Sequence, residues 1–554
     1  MSWLRIAVGA LVLAGCRSVP EWQRTPHDRM YQRVPPPQLH PPIRDDSFSE
    51  GVFFTRYSVV RPLGQLVSPA TYLRGLEVGP EAMDVNAFGQ VVDSEWFTNR
   101  IGRRPMDLDA LRRGPNTIDG PAPGSLFIER AKVEGVSPGF WVRDGRGQRF
   151  IVKLDHPAYP GLSSGAELVA TKILHAAGYN VPQNFVAELD LDRLVVLPDA
   201  TAAGPYGSRV PLTEEAVEAM LLNANPSPRG TVHCLFSRII DGIPVGPFTY
   251  RGIRADDPND EIPHERRRSL RGLGTLFAWL NNTDSRASNS LDVWLEQRAG
   301  LGYVRHYLLD FGDALGASDT TPKYISEGYE YLVDLPAMAV GFLGFGIHYR
   351  WWLPVQRSPL RSVGTFESQV FDPERWRPAI PNPAFQAATA RDRYWAAAIV
   401  ARFGRPQLEA IVETADYPET GAAEEIVRVL LERRRKILQW AFRDVLPLDD
   451  LQVRGHRVRF TDLAVRTEIS LPTGYRWQVT DSGGQVLDGG ECLRPEFDLT
   501  AAAARVADPE RPFLTLRVWR QASAGGPSAS PHLDLHVRIL GDRVLPVGLE
   551  RGVR

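Results

Sequence analysis

Five polar residues of this chain have the types and the order needed to manage phosphate charge. Asp284 is followed five positions later by Asn289, a D-x-x-x-x-N spacing, and an apolar stretch, Tyr307-Leu308-Leu309, then delivers Asp310-Phe311-Gly312. Upstream, Lys153 stands between apolar neighbours in Ile151-Val152-Lys153-Leu154-Asp155, with Glu167 in the following segment. Phosphoryl transfer needs little covalent help and much positioning of charge. One carboxylate must face the incoming hydroxyl, a role that suits Asp284. A carboxamide and a second carboxylate must hold a divalent ion against phosphates, which suits Asn289 and Asp310. Taken singly, each has a plainer reading: a helix-end cap, a loop amide, and a strand end turning on its glycine.

Lysine usage sharpens the reading. The chain holds 64 basic residues, of which only five are lysines: Lys132, Lys153, Lys172, Lys323 and Lys436. In a chain that otherwise selects arginine, a compact ammonium on a strand suits nucleotide phosphates better than a planar fork does, and Glu167 is its natural partner. The elements that must carry this pair are legible. Residues 126–154 alternate as paired strands with Asp144-Gly145 as a hairpin turn. A helix is expected from near Ser164, stopping at Gly178 with Pro182 just beyond.

Farther on, TVHCLFSRIIDGIPVGPF reads as a buried strand and a Gly/Pro-rich connection. The acidic stretch 256–261 reads as a polar turn leading into a helix at Pro263, and the arginines 266–268 as a solvated helix face. Leu270, Leu273, Phe277 and Leu280 recur at helical spacing and should bury a helix that ends just before Asp284. The apolar run 337–347 is too short to span a membrane and reads as core or a groove wall. Helices fill 384–445, with Ile426, Leu430, Ile437 and Trp440 on one face. From about Pro447 the period becomes two, in Tyr475-Trp477-Val479, Leu514-Leu516-Val518 and Leu533-Leu535-Val537-Ile539, as in a small antiparallel β domain.

At 554 residues and 43% hydrophobic, the chain can bury a large core in two or three domains. Its formal charge of −2 gives no global field for nucleic acid. The opening MSWLRIAVGALVLAGC has one early cation, an apolar run and small residues before Cys16, the pattern of a bacterial lipoprotein signal in which Cys16 is acylated. A proline-rich stretch over 17–47 suits an extended tether that would hold the folded part off the membrane. Cys234 and Cys492 are far apart and without metal-ligand spacing, so two isolated thiols are expected.

With lysine, glutamate, D-x4-N and Asp-Phe-Gly in order, residues 126–445 resemble the protein-kinase-like superfamily, and more closely its atypical branches such as the HipA-like and CotH-type spore-coat kinases. Phrases such as SEWFTNRIG also look like secreted bacterial proteins. The resemblance implies an α+β, two-lobed protein-kinase-like fold with ATP and Mg²⁺ (or Mn²⁺) in the cleft and transfer to a hydroxyl acceptor. By it Lys153 would hold phosphates, Glu167 would orient Lys153, Asp284 would be the base, and Asn289 and Asp310 would bind the metal. A phosphate loop would use Gly135 and Gly139. The sequence departs from the pattern in having Asn282-Thr283 before Asp284 and no Ala-Pro-Glu downstream.

The expected plan is a signal peptide (1–16), a tether (17–47), an N-terminal accessory extension (48–125), a kinase-like N-lobe (126–240), a helical C-lobe (241–446) and a β-sandwich-like domain (447–554). The expected location is the bacterial cell envelope, lipid-anchored at the outer membrane, with the anchor as the only membrane contact. Two other functions are compatible with the residues. One is a catalytically inactive kinase-fold binding or scaffold lipoprotein. The other is a serine hydrolase, from Gly161-Leu162-Ser163-Ser164-Gly165, which matches G-x-S-x-G before a helix.

Overall fold

Alternation of period two builds the first lobe. The structure, a computed structural model, describes residues 36–43, 60, 64, 80–132, 138–204, 208–223, 226–345, 350–506, 510–521 and 531–553. Cys16 and Gly135 lie outside the described residues. Strands β1 (Leu126–Ala131), β2 (Gly139–Arg143) and β3 (Arg149–Leu154) pair antiparallel in succession. Phe150, Val152 and Leu154 of β3 go into one core, which puts Lys153 on the other face. The β2–β3 turn is fixed by Asp144, whose carboxylate accepts from the N–H groups of Arg146 and Gln148 at 2.9 Å. With β4 (Asn184–Asp190), β5 (Leu194–Ala203), β6 (Arg209–Pro211) and β7 (Thr231–Arg238) they form a seven-stranded sheet in the order β4-β7-β3-β2-β1-β5-β6. Only the β1–β5 pairing is parallel.

Helix α1 (Leu162–Ala177) joins β3 to β4 and is almost wholly buried. Asp155 caps its start, accepting from Gly161 N and Ser164 N. Gly178 stops it in a conformation, φ +136°, open to glycine, and a Cβ there would lie 2.2 Å from the Phe97 ring.

The second lobe is helical around a small sheet. It contains β8 (Ile243–Gly246), α2 (Arg268–Leu280), β9 (Ser290–Arg298), β10 (Leu301–Leu308), the short hairpin β11 (Ala317–Ser318) and β12 (Thr321–Pro322), α3 (Leu335–Leu343), α4 (Ala390–Val400), α5 (Arg405–Val412) and α6 (Ala422–Ala441). Strands β10-β9-β8 form one sheet. The main core joins Ile173 of α1, Leu273 and Phe277 of α2, Trp395 of α4, Leu408 of α5 and Ile426, Leu430 and Ile437 of α6. The first lobe's sheet keeps a separate core, so the architecture is α+β and two-lobed, with α1 as the piece both lobes share.

Two expectations fail here. Arg267 and Arg268 are buried rather than solvated, and so is Arg271 one turn farther on. Arg268 Nε donates to Asp392 Oδ1 at 2.8 Å, Arg271 Nη1 to Asp392 Oδ2 at 3.3 Å, and Arg267 Nη2 to Asp260 Oδ1 at 2.9 Å. Charges go inside when carboxylates meet them there; Asp260 is a near neighbour of Arg267, whereas Asp392 comes from distant sequence. The run 337–347 is neither core nor groove wall as far as it is described. Leu335–Leu343 is a helix, α3, with Phe342 84% and Leu343 77% exposed.

The described residues on either side of these lobes pack on this body. Asp84 of the extension caps α2 by accepting from Ser269 N at 3.1 Å, and Trp96 stacks on His306 at 3.6 Å. Residues 36–43, expected as free tether, are docked instead: His40 bridges Gly302, and Ile43 is buried with Val245, Trp294 and Val304. On the other side, strands β13 (Leu448–Arg454), β14 (Arg457–Asp462), β15 (Tyr475–Asp481), β16 (Val486–Cys492), β17 (Glu496–Asp498), β18 (Phe513–Arg520), β19 (His532–Leu540) and β20 (Arg543–Gly552) form two antiparallel sheets, β13-β14-β17 and β16-β15-β18-β19-β20. One core fills the space between them, with Leu514, Leu516, Val518, Leu533, Leu535 and Val537 facing inward. Arg551 ties this domain to the helical lobe: its carbonyl accepts from Arg391 Nε at 2.7 Å and its guanidinium lies 4.2 Å from the Tyr394 ring, both on α4. Cys234 and Cys492 are both free thiols.

Candidate active site

The cleft between the lobes is closed by one lysine. Lys153 Nζ donates to Glu167 Oε2 and to Asp310 Oδ1, each at 2.8 Å. Each side chain arrives for a separate reason. The alternation of β3 turns Lys153 away from the sheet's core. Residue 167 lies in the second turn of α1, where its side chain is 2% exposed. Asp310 follows the last residues of β10 in a left-handed conformation, φ +55°, while Phe311 is buried as an anchor. Non-glycine residues in this conformation are uncommon and gather at functional sites.

Electrostatics favour the charged forms of Lys153 and Asp310. Burial alone would lower the lysine's pKa, but Asp310 and then Glu167 overcome it, and the ammonium is held charged. Burial also opposes charge on Asp310, yet Lys153 beside it holds the carboxyl below the usual range, with help from Lys132 and Arg286. Glu167, the more deeply buried, is pushed up by burial against the pull of Lys153.

The second half of the site hangs from α2. Asn281 ends the helix in the left-handed conformation, φ +52°, and the chain turns through Thr283 to Asp284. Arg433 of α6 holds this end, donating Nε to Trp279 O at 2.9 Å and Nη2 to Ala278 O at 2.6 Å. Asp284 is gripped by Arg286, through Nε to Oδ1 at 2.6 Å and through Nη2 to Oδ2. Asn289 lies beside Asp310 because Leu309 N donates to Asn289 O at 2.9 Å. Its side-chain amide approaches Asp284 O at 3.5 Å, leaving the carboxamide oxygen as an available ligand. The structure thus brings together Lys153, Glu167, Asp284, Asn289 and Asp310. Gly139 pairs with Lys153 across β2 and β3, and a Cβ there would lie 1.9 Å from Val152 O, so strand approach alone requires that glycine.

Several site residues were not read from the sequence. Arg286 is one. Asp319 is another, left-handed at φ +49°, its carboxyl pushed up first by burial and then by Asp310 and Asp284. Behind Asp284, the buried Lys323 donates to Thr283 Oγ1 at 2.6 Å and pairs with Asp313 at 2.9 Å, while Thr283 donates to Asp313 at 2.5 Å. Lys132 acts electrostatically on Glu167, Asp310 and Asp319. Three of the five lysines therefore serve this region, so the scarcity that singled out Lys153 could have singled out Lys132 and Lys323.

The nucleophile position of the serine motif is Ser163, which is buried, its Oγ 3.1 Å from where a Cβ on Gly312 would stand, and the residue after it, Ser164, has a structural job. Ser164 Oγ donates to Asp155 Oδ2 at 2.6 Å and lies 3.1 Å from His233 Nδ1, and that same nitrogen meets Asp155 at 2.7 Å. Serine and carboxylate crowd one ring nitrogen, whereas a relay needs them on opposite ones. The group is the buried cap of α1.

The donors fit a hydrated divalent ion. Among the described residues no group of three or more His, Cys, Asp or Glu forms a metal cage. Asp310 and Asn289 offer hard oxygens, and Mg²⁺ or Mn²⁺ takes one or two such ligands plus water and substrate phosphate.

No protein-family model matches the chain, and no curated protein matches it. Among the solved structures similar to it are two of one enzyme. One is a crystal structure of the Golgi casein kinase with Mn/ADP bound, 10% identical, spanning 60% of this chain and 74% of that one, at a TM-score of 0.27. The other is a crystal structure of the Golgi casein kinase, 10% identical over 73% and 95%, at 0.29. Likeness this slight says nothing of activity. What defines the class is the chain's own arrangement: a β lobe, a helical lobe, and a strand lysine, helix glutamate and Asp-Phe-Gly aspartate meeting between them, which is a kinase-like fold.

Proposed function

We propose that this protein is an ATP-dependent phosphotransferase acting on a hydroxyl acceptor, held at the bacterial cell envelope by an acylated Cys16. The observation that carries the reading is the bridge from Lys153 to both Glu167 and Asp310, which fixes an ammonium where phosphates would enter. A bound Mg²⁺ or Mn²⁺ nucleotide would supply the phosphoryl group and the neutralising cation. Lys153 then meets phosphate oxygens, and Glu167 keeps its ammonium pointed into the cleft. Asp310 and Asn289 hold the metal, and Lys132 adds a second positive charge on the same side. Asp284 accepts the acceptor's proton once Arg286 lets go of its carboxylate.

The grip of Arg286 on both oxygens of Asp284 favours a second reading, a kinase-fold protein that binds nucleotide without turnover. Nucleotide binding and single-turnover transfer separate the two. Wild type that binds Mg²⁺–ATP and labels an offered hydroxyl supports the enzyme; binding without transfer, unchanged in Asp284→Ala, supports the binding module.

A further inference from the structure

Twenty-two large apolar residues are exposed among the described residues, and ten of them lie between Tyr324 and Leu353. In sequence they lie in and on either side of α3, whose segment LPAMAVGFL carries no charged or hydrogen-bonding side chain. Met338 is 58% exposed, Phe342 84%, Leu343 77% and, just beyond, Phe345 93%. Patches of this kind mark a surface meant to be covered. The base of the patch is firm. Asp334 caps α3, Arg350 and Trp352 both donate to Glu330, and Lys323 binds the segment to Thr283 beside the catalytic aspartate.

We infer that α3 and its flanks rest in the surface layer of a phospholipid bilayer, setting the acceptor side of the cleft against the membrane. A nine-residue helix is ~13 Å long, under half the hydrocarbon thickness, so it cannot cross and must lie within one leaflet. A second copy of this chain fits less well. Specific protein interfaces surround an apolar centre with polar groups that set register, and α3 has none to offer. The occupant also follows from the chain outside the structure. Residues 17–35 separate Cys16 from the docked residues 36–43, and fully extended they reach at most about 65 Å. That length keeps the body close to the bilayer, so a weak contact is made at high effective concentration. The inference rests on the lipid-anchored reading above. Because α3 bears no charge, the contact needs no anionic lipid.

The test uses full-length acylated protein on phosphatidylcholine vesicles, in a Cys492→Ser background. An environment-sensitive dye is placed at Phe342→Cys or, as control, at Leu471→Cys, an 83% exposed site before the five-stranded sheet. The dye at 342 should shift to the blue and be quenched severalfold by spin-labelled lipid, while the dye at 471 stays in water. Vesicle-bound protein whose 342 dye remains in water overturns the inference and leaves the anchor standing. Shielding at 342 that appears without vesicles and grows with protein concentration overturns it in favour of a second copy. Protein that does not bind vesicles at all overturns the anchor and the inference together.

Discussion

Lys153 and Asp310 are 157 positions apart in sequence and meet at 2.8 Å, with Glu167 on the lysine's other side. One cation thereby joins a strand of the first lobe, a helix shared by both, and the loop after β10. Its loss leaves two carboxylates facing each other without a counter-charge. Lys153→Met should weaken Mg²⁺–ATP binding at least about tenfold while the protein still folds, and Lys153→Arg should not rescue it, since a planar fork does not replace a point charge in this geometry. Isothermal titration with circular dichroism as the folding control checks this.

Asp284 is placed toward the acceptor rather than the metal. Asp284→Asn should therefore leave nucleotide affinity within about twofold of wild type and reduce transfer on the order of a hundredfold or more, the contribution of a positioned base. Single-turnover assays alongside binding measurements separate the two effects.

Arg433 is fully buried and holds the C-terminal carbonyls of α2 and the carbonyl of Glu367, with its guanidinium 3.5 Å above the Phe371 ring. Burial pulls its pKa down to about 10, so it stays charged near neutrality. Arg433→Met strands those carbonyls and should cost about 3 kcal/mol in denaturant unfolding. It should also loosen the turn that presents Asp284.

Burial pushes the Asp313 carboxyl up to about 6, against the pull of Lys323 and with Asp284 adding to the rise. A carboxyl whose folded pKa lies above its unfolded value favours folding when protonated. That contribution is present below about pH 4 and is lost as pH rises through about 6. Wild type should accordingly lose stability relative to Asp313→Asn between pH 4 and 7. Chemical denaturation across that range tests it, and a constant difference between the two proteins would contradict it.

The parts legible in the sequence were those with a local signature. The two-residue period of β3 and of the C-terminal domain, the glycine that ends α1 and the spacing of Leu270, Leu273, Phe277 and Leu280 all reflect short-range rules. Lys153 stood out by scarcity. Arg268 was misread because the carboxylate that lets it go inside, Asp392, comes more than 120 residues later. Asp319 has no sequence mark, since its place depends on the β11–β12 hairpin folding back toward Asp310. The run 337–347 was misread because apolarity alone does not say which surface covers it.

The central claim is that the cleft holds a metal–nucleotide complex through Lys153 and Asp310, and calorimetric titration of ATP into the full chain with and without Mg²⁺ tests it most directly. Wild type should bind ATP only when Mg²⁺ or Mn²⁺ is present, and Asp310→Ala should abolish the metal-dependent part along with any thermal shift it produces. Binding that ignores the metal, or that survives Asp310→Ala unchanged, would contradict the account.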